Sequence, residues 1–330
     1  MKLIPFGRTD RLISNLCLNT ANFGWNTDAR TSHAILDTFV SQGGNFLLAA
    51  SNADSPTSAR SQAHVGSWIA RRAIVRDELM LAAKMVIRSD TAINPWALAH
   101  VVHRCCVESL RRLRVEYLDV LLCEIRSPAV SVPALLDALE HLRAEGLVRH
   151  FGVSRWPIGR VREASRVAEL GGAQHLAVLE DDYSLVAPTH FETWIAPECR
   201  KLGAAFLASS PLAGGFLDET ASSSRGWVSV GDRMALGPRS TRSTRLGTRD
   251  LIEQFAGARG RSIAEIAIAW VLANPDVSAA VVGATSPHEL QPLLAAAHAP
   301  LSADEAAELS ALRNHGTNLN PHKQYTEIGS

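Results

Sequence analysis

Residues 118–153 read LDVLLCEIRSPAVSVPALLDALEHLRAEGLVRHFGV. The run 118–123 is apolar at nearly every position, as a parallel strand buried on both faces requires. Residues 132–146 place Leu135, Leu136, Leu139 and Leu142 on one stripe of a helix, and Gly146 can end it as a C-cap. A second apolar run, 149–153, follows. Strand, helix and strand in this order predict a parallel βαβ unit.

The same rhythm extends to both ends of the chain. Further strands are expected at 16–21, 46–50, 79–84, 176–180, 204–208 and 279–283. A helix is expected over 262–273, where Ser262 and Glu265 have the spacing of a capping box. Eight strand–helix units predict a closed (β/α)₈ barrel, and 330 residues suit one such domain spanning 1–330. Residues 218–247 break the rhythm; rich in Ser, Arg, Gly and Thr, they read as a flexible loop over the C-terminal face of the barrel. His33, His64, His103 and His141 fall on the expected helices and read as surface residues.

Composition narrows the partners. Hydrophobic residues make up 46% of the chain, enough for a large core, and Lys+Arg and Asp+Glu each total 33. This balance gives no reason to expect nucleic acid or an anionic membrane. The five cysteines show no C-x-x-C pair, as free thiols in a reducing compartment would. The start MKLIPFGRTD lacks an apolar signal region, and no apolar run approaches the roughly 20 residues of a membrane span. A cytoplasmic protein acting on a small molecule is expected, and a homo-oligomer is compatible with this reading.

Several segments, in order and over nearly the whole chain, resemble the aldo-keto reductases. LIPFGRTDRLISNLCLNTANFGW is similar to that family's N-terminal β-hairpin and first strand. GGNFLLAASNADSPTSARSQAHVGSWI resembles G-x-N-F-x-D-T-A-x-x-Y-G…S-E-x-x-L-G, and SSPLAGGFL resembles Y-S-P-L-A-G-G-x-L. LRAEGLVRHFGVSRW and SIAEIAIAWVLANPDVSAAVVGATSPHEL complete the likeness. The resemblance implies a barrel of aldo-keto reductase type that reduces carbonyls with hydride from NADPH. It also implies a proton-donating Tyr, tuned by a Lys and an Asp, and a His that orients the substrate.

At those positions only the Lys remains, as Lys84. The Asp position is Leu48, the Tyr position Ala53 and the His position Glu124. Leucine and alanine cannot act as general acids. Glu for His also occurs in the steroid 5β-reductases, which keep the Tyr. The positions implied to hold the dinucleotide read Ser154, Arg155, Glu180 and Ser209, with Gly283 and Thr285 in the last loop. The stacking ring is thus replaced by Ser209. A residue implied to grip the adenosine phosphate falls at Glu289, followed by Pro292-Leu293 where the family has E-N. A carboxylate beside a phosphate repels it.

Strand ends converge on one face of a barrel, so Lys84, Glu124, Arg155, Glu180 and Ser209 are expected to meet there. Lys84 and Glu124 are the expected catalytic pair, sharing proton transfer. Asn52, Asp54 and Arg126 are expected around the substrate, as are Trp25, Trp156 and Trp227. The run Glu180-Asp181-Asp182 reads by default as a solvated turn, and no metal site is expected. Three functions stay open. The first is non-redox acid–base chemistry on a small carbonyl-bearing natural-product or sugar intermediate: elimination, dehydration, isomerisation or cyclisation. The others are NADPH-dependent reduction with an altered proton donor, and a non-catalytic binding barrel. No cofactor is favoured, with NADP(H) as the alternative.

Overall fold

A computed structural model describes residues 1–51, 56–72, 74–88, 94–171, 174–218 and 242–316. The chain opens with an antiparallel hairpin, β1 (Leu3–Pro5) against β2 (Leu12–Ser14), with Leu3 opposite Ser14. Eight parallel strands follow: β3 (Leu16–Asn19), β4 (Phe46–Ser51), β5 (Met80–Ile87), β6 (Leu118–Ile125), β7 (Val148–Ser154), β8 (Val178–Asp182), β9 (Ala205–Ser209) and β10 (Ala279–Val282). They close into a barrel in the order β10-β3-β4-β5-β6-β7-β8-β9.

Helices cover the outside: α1 (Ala29–Ser41), α2 (Pro56–Arg72), α3 (Pro95–Leu113), α4 (Val132–Ala144), α5 (Ile158–Gly171) and α6 (Ala196–Leu202). Beyond β9 come α7 (Arg242–Gly257), α8 (Ile263–Ala273), α9 (Pro287–His298) and α10 (Ala303–Gly316). Local chemistry sets their ends. Asp28 caps α1 by accepting from Thr31 N at 2.7 Å, and Ser131 caps α4. Gly146 takes the left-handed conformation after α4, donating to Arg143 O at 3.0 Å. Ser262 caps α8, but Glu265 turns to Arg261 instead of closing the reciprocal half of a capping box.

Two apolar layers result. Cys17, Phe46, Leu48, Met80, Ala82, Val120, Leu122, Val178, Leu207 and Val281 fill the barrel, and Phe6 and Ile13 of the hairpin segment join them. The larger layer lies between barrel and helices and includes Trp68, Phe151, Trp156, Tyr183 and Phe206. Gly152 marks a close approach within the barrel: a Cβ there would sit 2.2 Å from Val178 O.

Three expectations need correction. β8 runs on through Asp181 and Asp182, which pair with Ala208 and Ser209, so the acidic run is a strand end and not a solvated turn. Of the expected loop 218–247, residues 219–241 lie outside the described residues, and residues 242–247 already belong to α7. His33 and His64 are half-buried between α1 and α2. There His33 Nε2 bonds Ser67 Oγ at 2.9 Å and His64 Nδ1 bonds Ser32 Oγ at 3.1 Å. His103 and His141 are exposed.

Candidate active site

Side chains alternate across a strand, so the inward-facing set can be counted from the core. Leu48, Ala82, Leu122, Gly152, Val178 and Leu207 lie on the inward face or share its parity. Two residues further along β5 to β9 come Lys84, Glu124, Ser154, Glu180 and Ser209. These form the top layer at the C-terminal mouth, where barrel enzymes place their chemistry.

The centre of this layer is one buried carboxylate. Lys84 Nζ lies 2.6 Å from both Oε1 and Oε2 of Glu180, and Ser209 Oγ also donates to Oε1. Burial pushes the Glu180 carboxyl up, but the Lys84 ammonium and the Lys84 and Ser209 hydrogen bonds outweigh it and hold the pKa below the usual 4.5. Glu180 is therefore ionised at neutral pH. The expected pairing of Lys84 with Glu124 is not formed. Strand register explains this: Lys84 is level with Leu122, and Glu124 stands opposite Val86, one inward-facing level higher.

Glu124 instead accepts from Arg126 Nε at 2.7 Å. It is buried while Arg126 is largely exposed, and its Oε2 has no protein partner among the described residues. On the other side of Glu180, Arg155 donates from Nη2 to Asp182 Oδ1 at 2.7 Å. Its own N–H bonds Glu180 O at 2.8 Å. Burial works against the Arg155 charge, but Asp182 and Glu180 outweigh it and hold the guanidinium firmly protonated. Arg155 has φ +54°, a left-handed conformation that Asn tolerates better than Arg. Beside this group, His190 Nε2 lies 3.4 Å from Asp181 Oδ2, which raises its pKa.

Other expected residues scatter. Leu48 is part of the barrel interior. Trp25 lies in the loop after β3 and is 55% exposed, whereas Trp156 is buried in the layer under the helices. Asn52, Ala53, Asp54 and Trp227 lie outside the described residues. Asp182, read from the sequence as part of a solvated turn, instead joins the site as the partner of Arg155. It follows Glu180 by two, the spacing that keeps a strand residue on the same face. Neither described tyrosine reaches the mouth. The Tyr183 hydroxyl is held by Glu192 and Asn274 in the outer layer, and Tyr117 stacks with Arg76 and Arg149.

A cleft of about 270 Å³ adjoins the mouth, lined by Asn22, Asn26, Ser210, Leu212, Gly215, Gly283 and Thr285 among others. Ser209 faces the charged mouth and Ser210 the cleft. In the Ser210–Gly215 segment, Ser210 and Ala213 hold strained positive φ, while Gly214 and Gly215 take positive φ without strain. Gly283 and Thr285, expected from the sequence to meet a dinucleotide, are both on the walls. Among the described residues no lysine or arginine lines the cleft. Thr285 gives its N–H to Glu289 Oε2 at 2.7 Å and its hydroxyl to the same carboxylate. Ser209 stands where the family pattern has a stacking ring, and the Glu180 carboxylate is closed by Lys84.

Among the described residues no His, Cys, Asp and Glu group could hold a metal ion, and no helix is long and apolar enough to cross a membrane. The model of the Aldo/keto reductase family matches residues 15–314. The chain is 29% identical over 314 residues to norsolorinic acid reductase B of Dothistroma septosporum, covering 91% of this chain and 78% of that one. It is 28% identical over 335 residues to protein tas of Escherichia coli, with 91% and 94% covered. A probable voltage-gated potassium channel subunit beta of Arabidopsis thaliana is 26% identical over 300 residues, with 88% and 89% covered.

Proposed function

Because the chain belongs to the aldo/keto reductase family, we propose that it is an enzyme acting on a small carbonyl compound at the barrel mouth, by proton transfer instead of hydride transfer. The observation that carries this reading is the Lys84–Glu180 clamp. The lysine implied to serve a phenol gives its ammonium to a buried carboxylate, and the position implied for that phenol is Ala53. Acid–base work then falls to Glu124, whose Oε2 has no protein partner among the described residues, and charge stabilisation to Lys84 and Arg155.

A dehydration or elimination runs on these groups without a cofactor. Glu124 takes the proton next to the substrate carbonyl, and the electron pair moves toward the carbonyl oxygen, where Lys84 or Arg155 stabilises it. The pair then returns to form C=C as the β-substituent leaves with its electrons; a hydroxyl departs as water after taking a proton. Isomerisation returns the proton to a different carbon. Natural-product and sugar intermediates supply such carbonyls, and the reductase name of the fungal relative agrees with a carbonyl substrate.

A second reading, NADPH-dependent reduction with an altered donor, is favoured by one feature. The buried Ser154 Oγ has no hydrogen-bond partner among the described residues, and a nicotinamide carboxamide would satisfy it. One experiment separates the two. The purified chain is incubated with a panel of aldehydes, ketones and β-hydroxy carbonyl compounds, with and without NADPH. Proton-transfer chemistry converts a substrate without nicotinamide and stops in a Lys84→Ala, Glu124→Ala double variant. Carbonyl-dependent loss of nicotinamide absorbance would instead establish reduction.

A further inference from the structure

The contact between Thr285 and Glu289 has a consequence for ligand choice whichever chemistry the mouth performs. Helix α9 begins at the cleft wall, with Ser286 as N-cap and Glu289 in its first turn. Backbone N–H groups at such a helix start are the natural partners of an anion. Here the N–H groups of Thr285 and Glu289 are taken by groups of the chain itself. Ser286 Oγ accepts from Glu289 N at 3.2 Å, and Glu289 Oε2 accepts from Thr285 N at 2.7 Å. The carboxylate also takes the Thr285 hydroxyl at 2.7 and 2.8 Å from its two oxygens.

This is not the ordinary capping box. The start of α10 supplies the comparison within the same molecule. Glu305 Oε2 accepts from the N-cap residue's own N–H, Ser302 N, at 2.9 Å, while Ser302 Oγ accepts from Glu305 N at 3.2 Å. Glu289 passes the equivalent Ser286 N–H and reaches one residue further back, to Thr285. It thereby removes both polar hydrogens that Thr285 would otherwise offer to the cleft. Among the described residues no lysine or arginine on the lining offsets its charge.

We infer that Glu289 is a built-in anion that occupies both Thr285 hydrogens at the cleft wall and selects against phosphate-bearing ligands there. A phosphate arriving at Thr285 meets a like charge in place of two donors. The carboxylate acts as a specificity determinant by exclusion.

Isothermal titration of the full chain with NADPH tests this, using wild type, Glu289→Gln, Glu289→Ala and Glu305→Ala, each first checked for folding by thermal melting. Glu289→Gln keeps an acceptor for Thr285 and removes only the charge, so it reports even if the alanine variant fails to fold. Both Glu289 variants should bind NADPH at least about tenfold more tightly than wild type, and the gain should shrink as salt is raised. Glu305→Ala should match wild type, because its carboxylate sits at another helix. Equal affinity of wild type and the Glu289 variants, tight or absent, overturns the inference. So does an equal gain in Glu305→Ala. None of these outcomes bears on the proton-transfer reading, which is decided by nicotinamide consumption.

Discussion

Lys84 and Glu180 stand on strands that are not neighbours in the barrel, yet Nζ of one lies 2.6 Å from both carboxylate oxygens of the other. The contact crosses the mouth above the apolar plug of Leu48, Leu122, Val178 and Leu207. It fixes which charges can take part in chemistry and which serve the structure, and it sets the first test.

Removing the Glu180 charge should destabilise the chain. Glu180→Gln leaves the Lys84 ammonium facing a neutral group in a largely dry site, at a cost of about 3 kcal/mol. The pH dependence has a definite sign. The Glu180 pKa is depressed in the folded state, so its contribution is present above the ordinary value of 4.5 and is lost as pH falls through the folded value. Urea denaturation at neutral pH and at successively lower pH should show wild type losing its advantage over Glu180→Gln as the solution is acidified below 4.5.

Glu124 should behave in the opposite way. Its partner Arg126 is largely exposed, so the pair contributes under about 1 kcal/mol. Glu124→Gln should therefore melt close to wild type while losing about 10²- to 10⁴-fold in turnover of any substrate converted without nicotinamide. Unchanged turnover would remove Glu124 from the mechanism.

Gly152→Ala should be costly, because its Cβ would meet the backbone oxygen of Val178 at 2.2 Å and Val178 Cγ1 at 2.4 Å. Strands pinned in a closed barrel cannot part cheaply, and a loss of about 2 kcal/mol or more is expected. Gly146→Ala is the control. Its added methyl meets nothing within 4 Å, so only the strain of φ +76° remains, about 1 kcal/mol. Denaturant midpoints of the two variants should separate accordingly.

His190 should add stability that depends on pH in the reverse direction from Glu180. Its pKa is raised, first by the hydrogen bond to Asp181, so the contribution is full below the ordinary 6.5 and is lost as pH rises through the folded value. His190→Gln should be less stable than wild type in mildly acidic solution. The gap should close in alkaline solution, as chemical denaturation at both pH values would record.

The eight barrel strands were legible because each is a short apolar run buried on both faces, and amphipathic helices and polar loops do not carry that pattern. The mouth was legible as a set of residues but not as a set of partners. Lys84, Glu124, Arg155, Glu180 and Ser209 could be placed at strand ends from the chain alone. Their pairing depends on barrel stagger, which puts Lys84 level with Leu122 and leaves Glu180 facing it across the lumen. Sequence has no direct signal for stagger. Asp181 and Asp182 misled because acidic residues are rare in strand interiors; Arg155 and His190 compensate them here. The start of α7 was hidden by Ser, Arg and Thr, which read as a loop until tertiary packing overrides propensity.

The matched charges at the mouth also shape how a substrate arrives. Lys84, Arg126 and Arg155 are each neutralised at short range by Glu180, Glu124 and Asp182, so these groups project almost no long-range field. Capture is then a matter of diffusion and shape, with electroneutral or internally balanced molecules favoured over polyanions. Encounter rates with such a substrate should stay nearly constant from dilute buffer to high ionic strength, unlike those of an enzyme that draws its ligand in from a distance.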